Sequence, residues 1–216
     1  MNFIDQKLSE YCELQSSSEP EYLKEINRQT YLTQLNPRML SGHTQGRFLK
    51  LIIQLCQPKH VLEIGTYTGY SAICMAEGLP SHSLIDTIEL NEELESVILK
   101  NIDNAGFKSK IRLHIGNAME LLPKLLETQS YDLVFIDADK QNYPLYFECL
   151  KLKLKSGAIL IADNVLWNAK VIDEHELSTD TETMAIDCFN TRLRADDSFE
   201  KIMLPIRDGI TIARKK

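Results

Sequence analysis

The sequence predicts an α/β fold on a mostly parallel sheet that closes with an antiparallel hairpin. Three observations carry that expectation. From His60 onward, apolar runs of strand length alternate with helical segments, and repeated β-α units make parallel sheets with helices on both faces because right-handed crossovers bury both sides. Two of the runs, Leu133 to Ile136 and Ala158 to Ala162, each end in acidic or amide side chains. At the end of the chain, F-E-K-I-M-L-P-I and G-I-T-I-A-R are separated only by R-D, and two strands so close together must be antiparallel.

The elements follow in order. Apolar positions at helical spacing, Ile4, Leu8 and Tyr11, then Tyr22, Ile26, Tyr31 and Leu35, predict two helices separated by S-S-S-E-P, with Ser18 as cap and Pro20 at the first helical position. Met39 to Gly46 reads as a loop before a helix from Arg47 to Gln57, whose buried face is Phe48, Leu49, Ile52, Ile53 and Leu55. Strand one is V-L-E-I-G, followed by a helix from Ser71 to Glu77. Strand two is S-L-I-D-T-I-E-L, followed by a helix from Glu92 to Asn104 that Gly106 closes. Strand three is I-R-L-H-I-G, with a helix from Ala118 to Leu126 after it, and a further helix begins near Gln141. Leu166 to Thr181 shows no core pattern; a helix around Met184 to Arg194 precedes the hairpin. Five parallel and two antiparallel strands make seven.

A chain of 216 residues fits one domain of this class, divided here into N-terminal helices with a loop (1–57) and an α/β core (58–216). Hydrophobic content of 44% and charged content of 25% are ordinary for a globular protein. A net charge of −7 argues against a general nucleic-acid binder, which needs a basic surface. No basic segment followed by an apolar run opens the chain, and no stretch reaches the roughly 18 apolar residues of a membrane span, so a cytoplasmic protein is expected. Cys12, Cys56, Cys74, Cys149 and Cys188 are odd in number, scattered and without C-x-x-C spacing, which reads as reduced, structural thiols.

Neighbouring parallel strands deliver whatever follows them to one edge, where open α/β sheets bind ligands. Asp137, Asp139, Asp163 and Asn164 are therefore expected to meet. Oxygen ligands without nearby Cys or His suit a hard cation, Mg²⁺, Ca²⁺ or Mn²⁺. The five histidines form no H-x-x-x-H pair, and no G-x-S-x-G is present, which argues against zinc chemistry and an α/β-hydrolase.

The loop after strand one, E-I-G-T-Y-T-G-Y-S from Glu63 to Ser71, uses Gly65 and Gly69 to turn and to approach a ligand. It lacks the G-x-G-x-x-G spacing that packs a pyrophosphate against a helix N-terminus, so a nucleoside without phosphates suits it better. Glu63, inside the strand, is costly to bury without a donor, which a ligand ammonium can supply. Glu89, 24 positions after Gly65 at the end of strand two, can accept from both hydroxyls of a ribose.

Together the E-I-G-T-Y-T-G-Y-S loop, I-D-A-D-K, A-D-N-V-L-W-N and D-G-I-T-I-A-R resemble the cation-dependent class I O-methyltransferases of the caffeoyl-CoA and catechol type, which use S-adenosylmethionine. The resemblance runs from about Met39 to Lys216 and implies a Rossmann-like class I methyltransferase fold. It implies that Glu63 binds the methionine ammonium, Gly65 and Thr66 the backbone side of the cofactor, Tyr70 and Ser71 its carboxylate neighbourhood, and Glu89 the ribose. Gly116, Asn117 and Ala118 surround the adenine, Asp137 and Asp139 lie by the cofactor, and Met39 and Ser41 belong to a loop that closes over it. Asp137, Asp163 and Asn164 are the implied metal ligands, and Asn168 faces the substrate, with Trp167 either lining the acceptor site or packing beneath the loop. A homodimer is also implied.

The chemistry follows independently. A sulfonium methyl is already electrophilic, while a phenol at neutral pH is mostly protonated, so a cation that binds adjacent hydroxyls favours the attacking phenolate and fixes it. Lys140, three positions after Asp137, can accept the proton if a nearby metal charge lowers its pKa; otherwise it is a solvated lysine beside two aspartates. A small catechol or caffeoyl ester is the expected acceptor, and Arg28, Arg38, Lys170 and Arg192 are candidate contacts for a coenzyme A ester. The competing functions are a nicotinamide-dependent oxidoreductase, a phosphotransferase using D-A-D, and a binding protein that keeps the cofactor pocket without catalysis.

Overall fold

A computed structural model describes residues 5–216; Ile4, expected on the first helical face, lies outside them. The seven strands form one mixed sheet in the order β3-β2-β1-β4-β5-β7-β6, as expected for the class, and the chain divides into two compact units at residue 118.

The first unit carries α1 (Gln6–Gln15), α2 (Glu21–Thr33), a 3-10 turn at Pro37–Met39 and α3 (Gly42–Cys56). It continues with β1 (His60–Ile64), α4 (Tyr70–Gly78), β2 (Leu84–Glu89), α5 (Glu95–Asn104) and β3 (Ile111–Ile115). β1 pairs with β2 and β2 with β3, all parallel, and Glu63 stands opposite Thr87. Val61, Leu62, Ile64 and Ile85 are fully buried, the continuous apolar run of a strand covered on both faces.

α6 (Ala118–Thr128) leads into the second unit, with β4 (Leu133–Ile136), α7 (Tyr143–Lys151), β5 (Ile159–Asp163), α8 (Glu174–Thr179), α9 (Thr181–Ala195), β6 (Phe199–Leu204) and β7 (Ile210–Lys215). β4 and β5 are parallel, whereas β7 runs antiparallel to both β5 and β6. Tyr143, Phe147 and Phe189 pack edge to face between α7 and α9, with centroids 5.5 and 5.9 Å apart, a favoured aromatic geometry.

Several sequence expectations need correction. Leu8, Tyr11, Tyr31 and Leu35 are exposed; in α2 the expected Ile26 is buried, together with Leu23 and Thr30, which were not expected. Pro20 is itself the cap of α2, and Ser18 makes no cap bond there. α3 begins at Gly42, five residues before the expected Arg47, and exposes Leu55. Met39 to Gly46 was expected as a loop, yet Gly46 lies inside α3, where only glycine fits because a Cβ would lie 2.7 Å from Cys74 Sγ and 3.0 Å from the Tyr70 ring. The segment after β5 is not featureless, since a kinked 3-10 stretch at Trp167–Ile172 and α8 occupy it. All five cysteines are free, and among the described residues no helix is long and apolar enough to cross a membrane.

α4, which follows the glycine loop, is fixed by a buried ionic cluster. Glu77 accepts from the Tyr22 hydroxyl at 2.6 Å and pairs with Arg47 at 2.8 Å and Lys50 at 3.1 Å. Burial alone would push the Glu77 carboxyl up, but these three partners hold it below the usual carboxylate range. A carboxyl depressed in the folded state stabilises fully above its ordinary value of 4.5 and loses that contribution as pH falls through the lowered folded value. Glu77→Gln is accordingly expected to cost about 3 kcal/mol at pH 7, where it strands the buried Arg47 charge. The gap to the parent should close as thermal melts are taken into the acid range below that value; an equal gap at every pH would exclude the charge as its cause. At the far end of α4, a Cβ on Gly78 would meet the Lys50 carbonyl oxygen at 2.7 Å and Ile53 Cβ at 3.1 Å. Gly78→Ala should therefore force α3 and α4 apart at a cost of about 1–3 kcal/mol, read as a Tm several degrees lower.

Candidate functional site

In the first unit, the chain leaves β1 through residues 65–69 with Gly65 at φ +98° and Gly69 at φ +86°. Gly65 N–H donates to the Ile88 carbonyl at 3.0 Å, and Gly69 N–H to the Thr66 carbonyl at 2.9 Å. Gly69 then caps α4, whose first turn holds Tyr70 and Ser71. Glu89, at the end of β2, accepts from Tyr67 N–H at 2.7 Å and from Asn91 N–H at 2.9 Å, one on each oxygen. Backbone donors thus set its orientation, and each oxygen keeps further acceptor capacity. Gly116 N–H bonds to the Glu89 carbonyl at 2.8 Å, which brings the start of Gly116, Asn117 and Ala118 to the same strand end.

Glu63 is fully buried and accepts a short bond from the Thr87 hydroxyl, which lies 2.5 Å from that of Thr66. Its neighbour across the register therefore supplies a donor, a partner that sequence reading missed although Thr87 sits two residues before Glu89. Tyr70 begins α4 with its side chain buried and its hydroxyl donating to Glu19. Ser41 is buried at the start of α3, whereas Met39 is largely exposed.

The second unit brings Asp137, Asp163 and Asn164 to the ends of two hydrogen-bonded strands, where Ile136 stands opposite Ala162. Asp163 is buried, and its carboxylate accepts from Asn164 N–H at 2.8 Å. Asn164 is in the left-handed region at φ +56°. Asp137 is half-buried and takes Lys140 Nζ at 3.1 Å.

Lys140 is not a solvated lysine; it is 7% exposed. Its ammonium also donates to the Tyr143 hydroxyl at 2.8 Å and lies 4.8 Å from the Tyr143 ring centre and 5.8 Å from that of Trp167. Burial opposes the charge, but Tyr143 and Asp137 outweigh it and raise the pKa above the usual lysine range. That direction is the reverse of the lowering expected for a general base. Tyr143, fully buried, passes its own hydroxyl hydrogen to the Asp163 carbonyl at 3.0 Å or the Ile136 carbonyl at 3.3 Å, joining both strand ends. Sequence reading missed it; the i,i+3 spacing from Lys140 was the available signal.

Asp139 is exposed, with its carboxylate bonded to Asn142 Nδ2 at 2.6 Å and the Tyr146 hydroxyl at 2.5 Å. Trp167, Asn168 and Ala169 are three successive residues at positive φ, held in part by Asn168 N–H on Asp208 at 2.6 Å. Such backbone persists only where surrounding structure over-determines it, and it clusters at ligand sites. Of the candidate coenzyme A contacts, Lys170 is paired with Glu176 and Asp180 at 3.0 and 2.9 Å, Arg192 with Glu148 at 3.3 Å, and Arg28 with Glu25 at 3.8 Å.

Two carboxylates and an amide form an all-oxygen donor set that fits a hard cation in chemistry. Among the described residues, no group of three or more His, Cys, Asp and Glu side chains is arranged to hold a metal by itself. Were a cation held there, Asp137, Asp163 and Asn164 would give it a partial shell, with Asn164 as the third donor.

Residues 13–216 match the O-methyltransferase family. A catechol O-methyltransferase of Niastella koreensis is 37% identical over 184 residues, covering 82% of each chain. Caffeoyl-CoA O-methyltransferase 5 of Nicotiana tabacum is 34% identical over 205 residues, covering 91% of this chain and 85% of its own length. Among solved structures, an O-methyltransferase from Bacillus cereus in complex with SAH superposes with a TM-score of 0.89 at 30% identity, covering 97% of both chains. The O-methyltransferase TomG from Streptomyces achromogenes in complex with SAM gives 0.87 at 28%, over 97% and 96%.

Proposed function

The chain belongs to the O-methyltransferase family, and we propose that it moves the methyl group of S-adenosylmethionine to one hydroxyl of a small aromatic vicinal diol with the help of a divalent cation. The observation that carries the cation requirement is the meeting of Asp137, Asp163 and Asn164 at two adjacent strand ends. Mg²⁺, Ca²⁺ and Mn²⁺ all suit those donors. An incomplete protein shell fits this role, because the remaining coordination positions are available to both oxygens of a diol. Of the candidate contacts for a coenzyme A ester, Lys170, Arg192 and Arg28 are engaged by carboxylates, and Arg38 is exposed. A cytoplasmic homodimer acting on a small molecule is the accompanying reading.

Glu89 receives the ribose hydroxyls on a carboxylate already aimed by two backbone donors. Glu63, within the sheet, receives the methionine ammonium, while Gly65 and Thr66 offer backbone and the N-terminal turn of α4 at Tyr70 and Ser71 faces the carboxylate. Gly116, Asn117 and Ala118 line the adenine, and Met39 and Ser41 close over the cofactor. A bound cation supplies the positive charge that favours the phenolate over the phenol. Asn168 and Trp167 border the acceptor. Lys140 is the residue that takes the acceptor proton at Nζ, once positive charge competes for Asp137 and reverses the direction of its shift.

Asp163→Ala is expected to abolish transfer to catechol while leaving affinity for S-adenosylmethionine within about threefold, whereas Glu89→Ala chiefly weakens the cofactor, by about tenfold or more. Calorimetric binding beside a labelled-methyl assay separates the two; equal effects on cofactor binding would contradict the division. Chelation should silence transfer, and Mg²⁺ should restore it. Lys140→Met is expected to lower kcat about a hundredfold, and Lys140→Arg should not rescue it, since a guanidinium cannot give up its proton at neutral pH. Full activity in the arginine variant would leave Lys140 a purely electrostatic part.

A further inference from the structure

The turn between β6 and β7 carries an acid, Asp208, that bonds the segment following β5. We propose that Asp208 is a positioning residue: its carboxylate holds the left-handed turn at residues 167–169 and so fixes the Trp167 ring over the Lys140 ammonium. The clamp rests on geometry alone, whereas its bearing on the reaction rests on the reading of Trp167 and Asn168 as the border of the acceptor.

Trp167, Asn168 and Ala169 stand at φ +45°, +55° and +64°. Residues other than glycine visit this region at a cost and ordinarily singly, asparagine more readily than a bulky side chain. A run of three therefore needs partners outside itself, and the hairpin supplies them. Asn168 N–H, in the middle of the run, donates to Asp208 Oδ1 at 2.6 Å. Just before it, Leu166 N–H donates to the Asp208 carbonyl at 2.9 Å and Val165 N–H to the Gly209 carbonyl at 3.2 Å. Side chain and backbone of Asp208 thus bracket Trp167, whose own N–H turns back to the Asn164 carbonyl at 3.2 Å.

The clamp is shaped as well as bonded. Arg207 and Gly209 are themselves left-handed, at φ +51° and +87°, and a Cβ on Gly209 would lie 2.4 Å from Leu166 Cγ, so the hairpin backbone lies flush against Leu166. From α9, Asn190 donates Nδ2 to the Val165 carbonyl at 2.8 Å. Asp208 adds a charged acceptor, the stronger kind of hydrogen bond, within the left-handed run itself. The Trp167 ring centre lies 5.8 Å from Lys140 Nζ, so a turn that shifts carries that ring with it, and a displacement of about 1 Å beside reacting groups is enough to cost rate.

Trp167 is the sole tryptophan of the chain, so its fluorescence reports the turn without any turnover. In the full chain, Asp208→Ala is expected to raise acrylamide quenching of that emission about twofold or more and to lower kcat/KM for catechol about fivefold or more. Affinity for S-adenosylmethionine, by calorimetry, should stay within about twofold. Asp208→Asn should restore both the quenching and the rate, since an amide oxygen accepts the same N–H. Unchanged quenching in Asp208→Ala would overturn the clamp, and unchanged kcat/KM its role at the acceptor. An equal loss of cofactor affinity would do so too, by marking a general loss of structure, as would an asparagine variant no better than alanine, because charge and not the acceptor would then be what matters. Should Asp208→Ala fail to fold, Asp208→Leu, which keeps the shape and lacks the acceptor, decides. A parent that transfers no methyl to any diol would contradict the reaction proposed above, and the quenching alone would then decide the clamp.

Discussion

Two carboxylates at the ends of adjacent strands repel each other, and what makes them tolerable here is one buried ammonium. Lys140 bonds Asp137 directly and reaches the end of β5 through the Tyr143 hydroxyl, which bonds the Asp163 carbonyl. Neither long-range steering nor surface ion pairing accounts for this; the charge is buried under Trp167 and against the Tyr143 ring. Removing one member of such a buried set strands the others at a cost of several kcal/mol. The chemistry proposed for the acids therefore depends on a positive charge already present among them, and a cation arriving there competes with Lys140 for Asp137.

The first unit solves a different problem, the presentation of a carboxylate in fixed orientation. Glu89 is aimed by two backbone N–H groups, so the ligand proposed for it would need little ordering of this carboxylate. The loop that supplies one of those donors is itself held on both sides. Thr68 bonds Thr30 of α2 at 3.1 Å and its carbonyl accepts from Asn101 of α5 at 2.9 Å, while α4 is anchored through Glu77. The N-terminal helices thus reach the loop after β1 directly through a hydrogen bond, and the apolar surfaces that sequence periodicity assigned to their core face are in part exposed.

Much of this was legible in the chain, for identifiable reasons. β4 was read to the residue because four consecutive apolar side chains admit few alternatives, and the hairpin followed from the shortness of its connection. Glu89, Asp137, Asp163 and Asn164 stand at the strand ends where the sequence put them, because a strand end is a defined place in a parallel sheet. What escaped was whatever depends on contact between elements. Gly46 reads as a loop glycine until Cys74 and Tyr70 are seen against it, and nothing in the sequence ties the Tyr70 hydroxyl to Glu19. The run of left-handed residues from Trp167 to Ala169 carries no glycine to announce it, and the bond between Tyr143 and Lys140 depends on a helix turn whose facing side chains the sequence does not show.

The most direct measurement is anomalous diffraction from crystals grown with Mn²⁺ and S-adenosylhomocysteine. The account predicts one manganese peak per chain within bonding distance of Asp137, Asp163 and the Asn164 amide oxygen, with the Lys140 ammonium displaced from Asp137. A protein that methylates catechol in those conditions while its crystals show no peak at these side chains would contradict it.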